Sequence, residues 1–163
     1  MIFVTVGSQK FQFNRLLSTI DALIEDENIM EPVFAQIGYS DYHPKYYEYT
    51  QFLDRTEFQT KIEQSDIVLT HGGTGVIIKA IKLGKKVIAV PRLAKYGEHV
   101  DDHQLQLVGQ FHESHLITQC TNISQLGELL KALSDMEFQM YQSNTSNIIS
   151  SIEKYVESVN AGV

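Results

Sequence analysis

Leu69-Thr70-His71-Gly72-Gly73-Thr74-Gly75-Val76-Ile77-Ile78-Lys79-Ala80-Ile81-Lys82-Leu83-Gly84 joins an apolar strand to a helix through a turn with three glycines in four positions. Residues 67–69 are consecutive large aliphatics, as a strand buried on both faces of a parallel sheet requires. The glycines let the backbone take positive φ and approach a ligand with no Cβ in the way. The helix is expected to begin near Thr74 or Gly75 and to end at Gly84, a residue suited to a left-handed C-cap. Its first free N–H groups point back at the turn, where the helix dipole favours negative charge, so a diphosphate is the natural guest.

The turn by itself leaves two readings open, because α/β proteins also use such turns only to seat a helix closely on a sheet. The residues beyond the helix favour a ligand. Residues 87–90 form a second apolar strand, ended by Pro91 and Arg92, and then comes Tyr96-Gly97-Glu98-His99-Val100-Asp101-Asp102-His103-Gln104. A polar loop just past a buried strand is where an open α/β sheet places its ligand contacts. Gln104 and His103 are suited to hydrogen-bond sugar hydroxyls, and Arg92 or His99 to face phosphate.

His71-Gly72-Gly73-Thr74-Gly75, Val90-Pro91-Arg92 and Glu98-His99-Val100-Asp101-Asp102-His103-Gln104 together resemble the donor-binding C-terminal half of family 28 glycosyltransferases, the MurG-like group. The chain is most similar to stand-alone versions of that half. These are the PssE-like subunits of bacterial exopolysaccharide and capsule synthesis, and the catalytic subunit of the two-subunit enzyme that adds the second N-acetylglucosamine to dolichol diphosphate. The resemblance runs from Met1 to the helix after His103. It implies a doubly wound, mostly parallel Rossmann-like α/β sheet, the C-terminal half of a GT-B enzyme, that binds a UDP-sugar and acts with a separate, membrane-associated acceptor-binding subunit on a lipid-linked saccharide. The implied donor-binding residues are Gly7, Ser8, Gln9, Phe52, Leu53, His71, Gly72, Gly73, Thr74, Gly75, Arg92, His99, Asp102, His103 and Gln104. Within that set, Gly7-Ser8-Gln9 resembles a second diphosphate loop, and the backbone at Phe52 and Leu53 lies where uracil would be read. The catalytic base is expected on the partner, in the domain this chain lacks.

One departure bears on activity. The family's glutamate four residues after the last glycine, thought to hold the ribose hydroxyls, is Lys79 here, and Val76 replaces the usual Ser or Thr. A lysine donates hydrogen bonds but accepts none. Either the donor is bound differently, or it is bound weakly, or the subunit is a non-catalytic scaffold that keeps the fold.

The start of the chain fits the same plan. Residues 2–6 read as a strand, Gly7-Ser8-Gln9 as a tight turn, and Phe13, Leu16, Leu17, Ile20, Leu23 and Ile24 as the apolar stripe of a helix. With a strand starting at the second residue, no domain is expected before it, and 163 residues with 43% hydrophobic content suit a single domain. Residues 33–37 read as a strand, and residues 39–49 hold five of the eight tyrosines. That composition suits sugar binding or a partner interface, and equally a loop and edge strand flanked by packed tyrosines. A helix runs on from Asp54 through Ile62.

Further on, a helix through Phe111 leads to a last strand near residues 116–118, and Asn122 with Gln125 forms a capping pair for a helix carrying Ile123, Leu126, Leu129, Leu130 and Leu133. Ile148, Ile149, Ile152, Tyr155, Val156 and Val159 form the stripe of a closing helix at about 145–160, which folds back on the sheet or docks on a second subunit. That stripe and the tyrosine segment are expected to pair two copies when the partner is absent.

Composition narrows the remaining choices. No apolar run approaches the roughly 20 residues of a membrane span and no signal peptide is legible, so a cytoplasmic protein is expected, recruited to the membrane's inner face through its partner. Cys120 is the only cysteine, and a net charge of −7 argues against nucleic acid. His99 and His103 stand four apart beside Asp102, but a third defined ligand is lacking and the resemblance implies no bound metal. No metal and no cofactor are expected, the UDP-sugar being the substrate. Neither a Walker loop, a dinucleotide fingerprint nor a nucleophile elbow occurs.

Overall fold

The computed structural model describes residues 1–144 with Ile149, Ser150, Ile152 and Glu153. Six strands lie in one sheet of order β3-β2-β1-β4-β5-β6, and every pairing is parallel. They are β1 (Ile2–Thr5), β2 (Val33–Gln36), β3 (Glu48–Thr50), β4 (Ile67–Thr70), β5 (Lys86–Ala89) and β6 (Thr118–Gln119). The helices are α1 (Asn14–Glu25), α2 (Arg55–Gln64), α3 (Thr74–Lys82), α4 (His103–Glu113) and α5 (Leu126–Ala132).

Alternation along each strand divides the core in two. Ile2 and Val4 face α1 and α5, where Phe13, Leu16, Leu17, Ile20 and Leu126 are buried, while Phe3 faces Ile62 of α2, Ile77 of α3 and Val108 of α4. Strands covered on both faces must be apolar throughout, which is why the runs at β1, β4 and β5 read so plainly in the sequence. Helix α3 ends as expected, with Gly84 at φ +68°. Helix α2 begins at a capping box: Asp54 accepts from Thr56 N and Glu57 N at 2.8 Å each, and Glu57 accepts from Asp54 N at 3.0 Å.

Two expectations change, and a third falls largely outside the described residues. The last strand is Thr118–Gln119 rather than residues 116–118, because Leu116 is turned into the apolar layer under α4 while Thr118 and Gln119 pair with Ile88 and Ala89. Asn122 caps Ser124 N at 3.2 Å without a return bond from Gln125, since a 3-10 turn over Ile123–Gln125 precedes α5 and shifts the register. The closing helix at about 145–160 lies for the most part outside the described residues, where only Ile149, Ser150, Ile152 and Glu153 are seen, in helical conformation. Cys120 is buried.

Candidate functional site at the switch point

Strand order reverses between β1 and β4, and an open sheet binds ligands outside the carboxyl ends of its strands at such a point. The Gly7 turn leaves β1 there and the His71–Gly75 turn leaves β4. Both wrap one side chain. A Cβ on Gly7 would lie 2.6 Å from His71 Cε1, and one on Gly73 would lie 2.8 Å from the same atom and closer still to Nε2. Gly7, at φ +78°, is also in the left-handed region. The buried imidazole thus fills the space that both glycines vacate. Gly72 is used in the same manner, since its Cβ would lie 2.6 Å from Gln104 Cβ. At Gly72 and Gly73 the missing Cβ therefore makes room for the protein's own side chains, which corrects the expectation that all three glycines clear a path for a ligand. Gly75 differs: nothing lies within 4 Å of its Cβ position.

The outward side of the turn stays open. Gly73 caps α3 without a side-chain bond and the first helical bond runs from Ile77 N to Gly73 O at 3.2 Å, which leaves the N–H groups of Thr74, Gly75 and Val76 ahead of it. Thr74 and Gly75 are exposed. Below the Gly7 turn lies Arg92, 1% exposed, whose Nη2 donates to Val6 O and whose guanidinium sits 5.4 Å from the Phe13 ring. Among the described residues its Nε and Nη1 have no partner. Burial pushes its pKa down to about 10, with Glu98 opposing, so it remains a cation at neutral pH. An unpaired buried cation is costly, and an anion at the mouth would offset that cost. Burial, helped by Arg92, pushes His71 down to about 4. His71 is therefore neutral at pH 7 and brings no charge to a phosphate.

The other candidate residues fall into two groups. Gln104, 3% exposed, accepts with Oε1 from Gly72 N at 3.0 Å and Arg92 N at 3.1 Å, tying the β4 turn to the end of β5. Its amide nitrogen alone is left for a sugar hydroxyl. Asp102 accepts from Ala94 N at 2.8 Å, and Asp101 rather than Asp102 meets the imidazoles of His99 and His103. Ser8 and Gln9 are exposed on the β1 loop. Phe52 is exposed with its ring edge-on to Tyr39, and Leu53 N already donates to Gln36 Oε1 at 3.2 Å. Gln36, buried at the end of β2, also donates to Thr5 Oγ1 at 3.4 Å and to Gly7 O at 3.5 Å. It links the Leu53 backbone to the Gly7 turn, a role concealed in the sequence within an apolar run.

A second clamp is equally hidden in the sequence. Arg15 donates twice to Glu98, at 2.8 Å each, and to Pro91 O at 3.2 Å, while Glu98 also accepts from Leu93 N at 3.1 Å. A cavity of about 420 Å³ opens above this pair, lined by Lys10, Phe11, Tyr96 and their neighbours. None of Gly72, Gly73 or Gly75 lines it.

An all-parallel sheet in this order, with helices on both faces, defines a Rossmann-like domain of the GT-B type. The chain belongs to the glycosyltransferase family 28 C-terminal domain family, which it matches over residues 1–159. It is 27% identical over 127 residues to the UDP-N-acetylglucosamine transferase subunit ALG13 of Homo sapiens, covering 74% of this chain and 11% of that protein. Its fold is similar to that of MurG from Acinetobacter baumannii (TM-score 0.60, 17% identity, 93% of this chain and 49% of that one). It is also similar to a solution NMR structure of ALG13 (TM-score 0.57, 17% identity, 87% and 89%) and to the glycosyltransferase SnogD from Streptomyces nogalater (0.56, 17%, 82% and 34%). The chain thus spans 49% or less of the human ALG13, MurG and SnogD chains.

Proposed function

We propose that this chain is the donor-binding half of a two-subunit inverting glycosyltransferase that takes a UDP-sugar and delivers the sugar to a lipid-linked saccharide. The observation that carries this reading is the pairing of the uncapped α3 N-terminus with the buried, incompletely bonded Arg92. Each favours an anion, and the two follow neighbouring strands whose ends Gln104 ties together. The diphosphate leaving group would sit on the N–H groups of Thr74, Gly75 and Val76, and its growing negative charge would be stabilised by these dipoles and by Arg92. His103 and the Gln104 amide would orient the sugar, and the residues around Phe52 and Leu53 would meet the base. The acceptor hydroxyl's proton would go to a base on the partner subunit.

Likeness to a transferase subunit supports a partner that supplies the acceptor site. Among the described residues no helix is long and apolar enough to cross a membrane, so recruitment to the inner face of the membrane would fall to that partner. On this reading the chain would serve polysaccharide synthesis. Calorimetric titration of the full chain with UDP tests the reading. Saturable one-to-one binding is expected, with transfer appearing only on co-expression with the partner. A folded chain that gives no heat with UDP, alone or with its partner, leaves the scaffold reading in its place.

A further inference from the structure

The loop that leads into α4 carries a cluster that the donor reading uses only through its histidines, leaving Asp101 without a role. His99, Asp101 and His103 each turn one ligand atom toward a common point, and these atoms lie within 4.8 Å of one another. We propose that the three residues bind a divalent transition-metal ion of the zinc class. Helical spacing would put Asp102 between His99 and His103. Instead α4 begins only at His103, and the loop before it folds so that Asp101 meets both rings while Asp102 turns away to Ala94 N.

One pair of donor atoms already has the spacing of a tetrahedral ion's ligands, while His103 Nδ1, in direct contact with Asp101 Oδ1, would have to turn outward to admit the ion. His99 Nδ1 and Asp101 Oδ1 are 3.3 Å apart. Two ligand atoms at about 2.0 to 2.1 Å from one tetrahedral ion are separated by roughly that distance. Asp101 N donates to His99 Nδ1 at 3.4 Å, a long bond that an incoming ion would displace from that nitrogen. The His99 side chain is 7% exposed and its ring packs on Phe11 at 4.9 Å between centroids, so one ligand is fixed in advance. Asp101 and His103 are about half exposed and free to adjust around an incoming ion.

Donor chemistry selects the metal. Two imidazole nitrogens and one carboxylate oxygen suit zinc, nickel or copper, whereas magnesium and calcium prefer oxygen throughout. Three protein ligands leave a further position to water or to an outside ligand. An ion here would also brace the start of α4, one residue before the Gln104 clamp.

The metal site shares His103 with the donor reading, and its test does not use UDP, so the two can fail separately. The full chain, freed of any affinity tag and dialysed against chelator, is titrated calorimetrically with Zn²⁺ and Mg²⁺ and followed by visible absorption with Co²⁺. One zinc per chain is expected, with cobalt bands of four- or five-coordinate intensity and no heat from magnesium. Asp101→Asn and His103→Gln should each weaken zinc binding at least about tenfold while leaving the metal-free melting temperature unchanged, because both side chains are at the surface. Absence of saturable zinc binding, or affinity in the two variants equal to the parent's, overturns the proposal.

Discussion

Two stretches of the molecule are rich in side chains that bind sugars and phosphates, and they deploy them oppositely. In residues 39–49 the polar groups turn inward. Asp21 of α1 accepts from the Tyr42 hydroxyl at 2.7 Å and from Lys45 N and Tyr46 N at 2.8 and 3.0 Å, while Tyr46 and Tyr47 donate to Glu25 and to Leu17 O. Hydrogen bonding to Asp21 pushes the Tyr42 hydroxyl up to about 12. The segment is a strap fastened across α1. At the β4–α3 turn only the inner side is filled, by His71 and Gln104, and the N–H groups of Thr74, Gly75 and Val76 face out. Composition marks both stretches as binding surfaces; the partners of their hydrogen bonds separate them.

The largest effect expected from this contrast lies in the strap. Asp21→Ala leaves the Tyr42 hydroxyl and two backbone N–H groups without their acceptor, which should cost about 3 kcal/mol in denaturant unfolding. UDP affinity should stay within about twofold of the parent. A folded variant that has lost UDP binding would place residues 39–49 in the site and erase the contrast.

At the turn, the buried neutral imidazole sets a pH dependence. His71 is depressed to about 4 in the folded chain against 6.5 unfolded, so between those values the unfolded state binds the extra proton. Stability should therefore fall as the pH drops from about 6.5 toward 4, by up to about 3 kcal/mol over the full window. Denaturant midpoints for the parent and for His71→Gln measure this, and the variant should show the shallower slope. Parallel slopes would mean that the ring is not held neutral between the two glycines.

Gly73 and Gly75 carry the contrast down to two residues of one turn. Gly73→Ala drives a methyl into the fixed His71 ring and should cost about 2 kcal/mol of stability. Gly75→Ala meets nothing and removes a flexible residue from a helix, so stability should hold or rise by about 0.5 to 1 kcal/mol while UDP affinity falls. Pairing Gly73→Ala with His71→Ser should recover part of the loss, as only contacting residues couple. If both alanines act alike on both quantities, the turn has no filled and open sides.

How much of this is legible in the sequence depends on how far apart the partners lie. Strands β1, β4 and β5 are read directly because burial on both faces demands unbroken apolar runs, and α1 and α3 because one face of each repeats at helical spacing. The glycines of the turn are legible as a place without Cβ atoms, but sequence is silent on whether a ligand or a neighbouring ring takes the space. Contacts that bridge long separations leave no local mark: Arg15 with Glu98 across 83 residues, and Gln36 with Leu53 and Gly7. The Asp101 cluster escapes a reading by helical spacing because the chain forms a loop up to His103.

Lys79 yields the smallest expected effect and decides the most about the open side of the turn. On α3 it stands where the family has a glutamate, and its ammonium lies 5.1 Å from the centroid of Phe58 on α2. Phe58 packs edge-on against Phe3, so the lysine leans on α2, the helix that follows Phe52 and Leu53 in the chain. A cation there can donate to ribose or base oxygens, or reach the diphosphate, but cannot accept from hydroxyls. Lys79→Glu gives up a contact with Phe58 worth about 0.5 to 1 kcal/mol of stability, which a melting curve registers. On UDP affinity the two placements predict opposite signs. If the side chain lies beside the ribose, the new carboxylate accepts from the hydroxyls and binding tightens by about 1 to 2 kcal/mol. If it lies beside the phosphates, an attraction is replaced by a repulsion and binding weakens by at least as much. The geometry over Phe58 favours the ribose side, so tighter binding is the expected result. Unchanged affinity would put the nucleotide elsewhere than along α3, and would return Thr74, Gly75 and Val76 to the ordinary duties of a helix start.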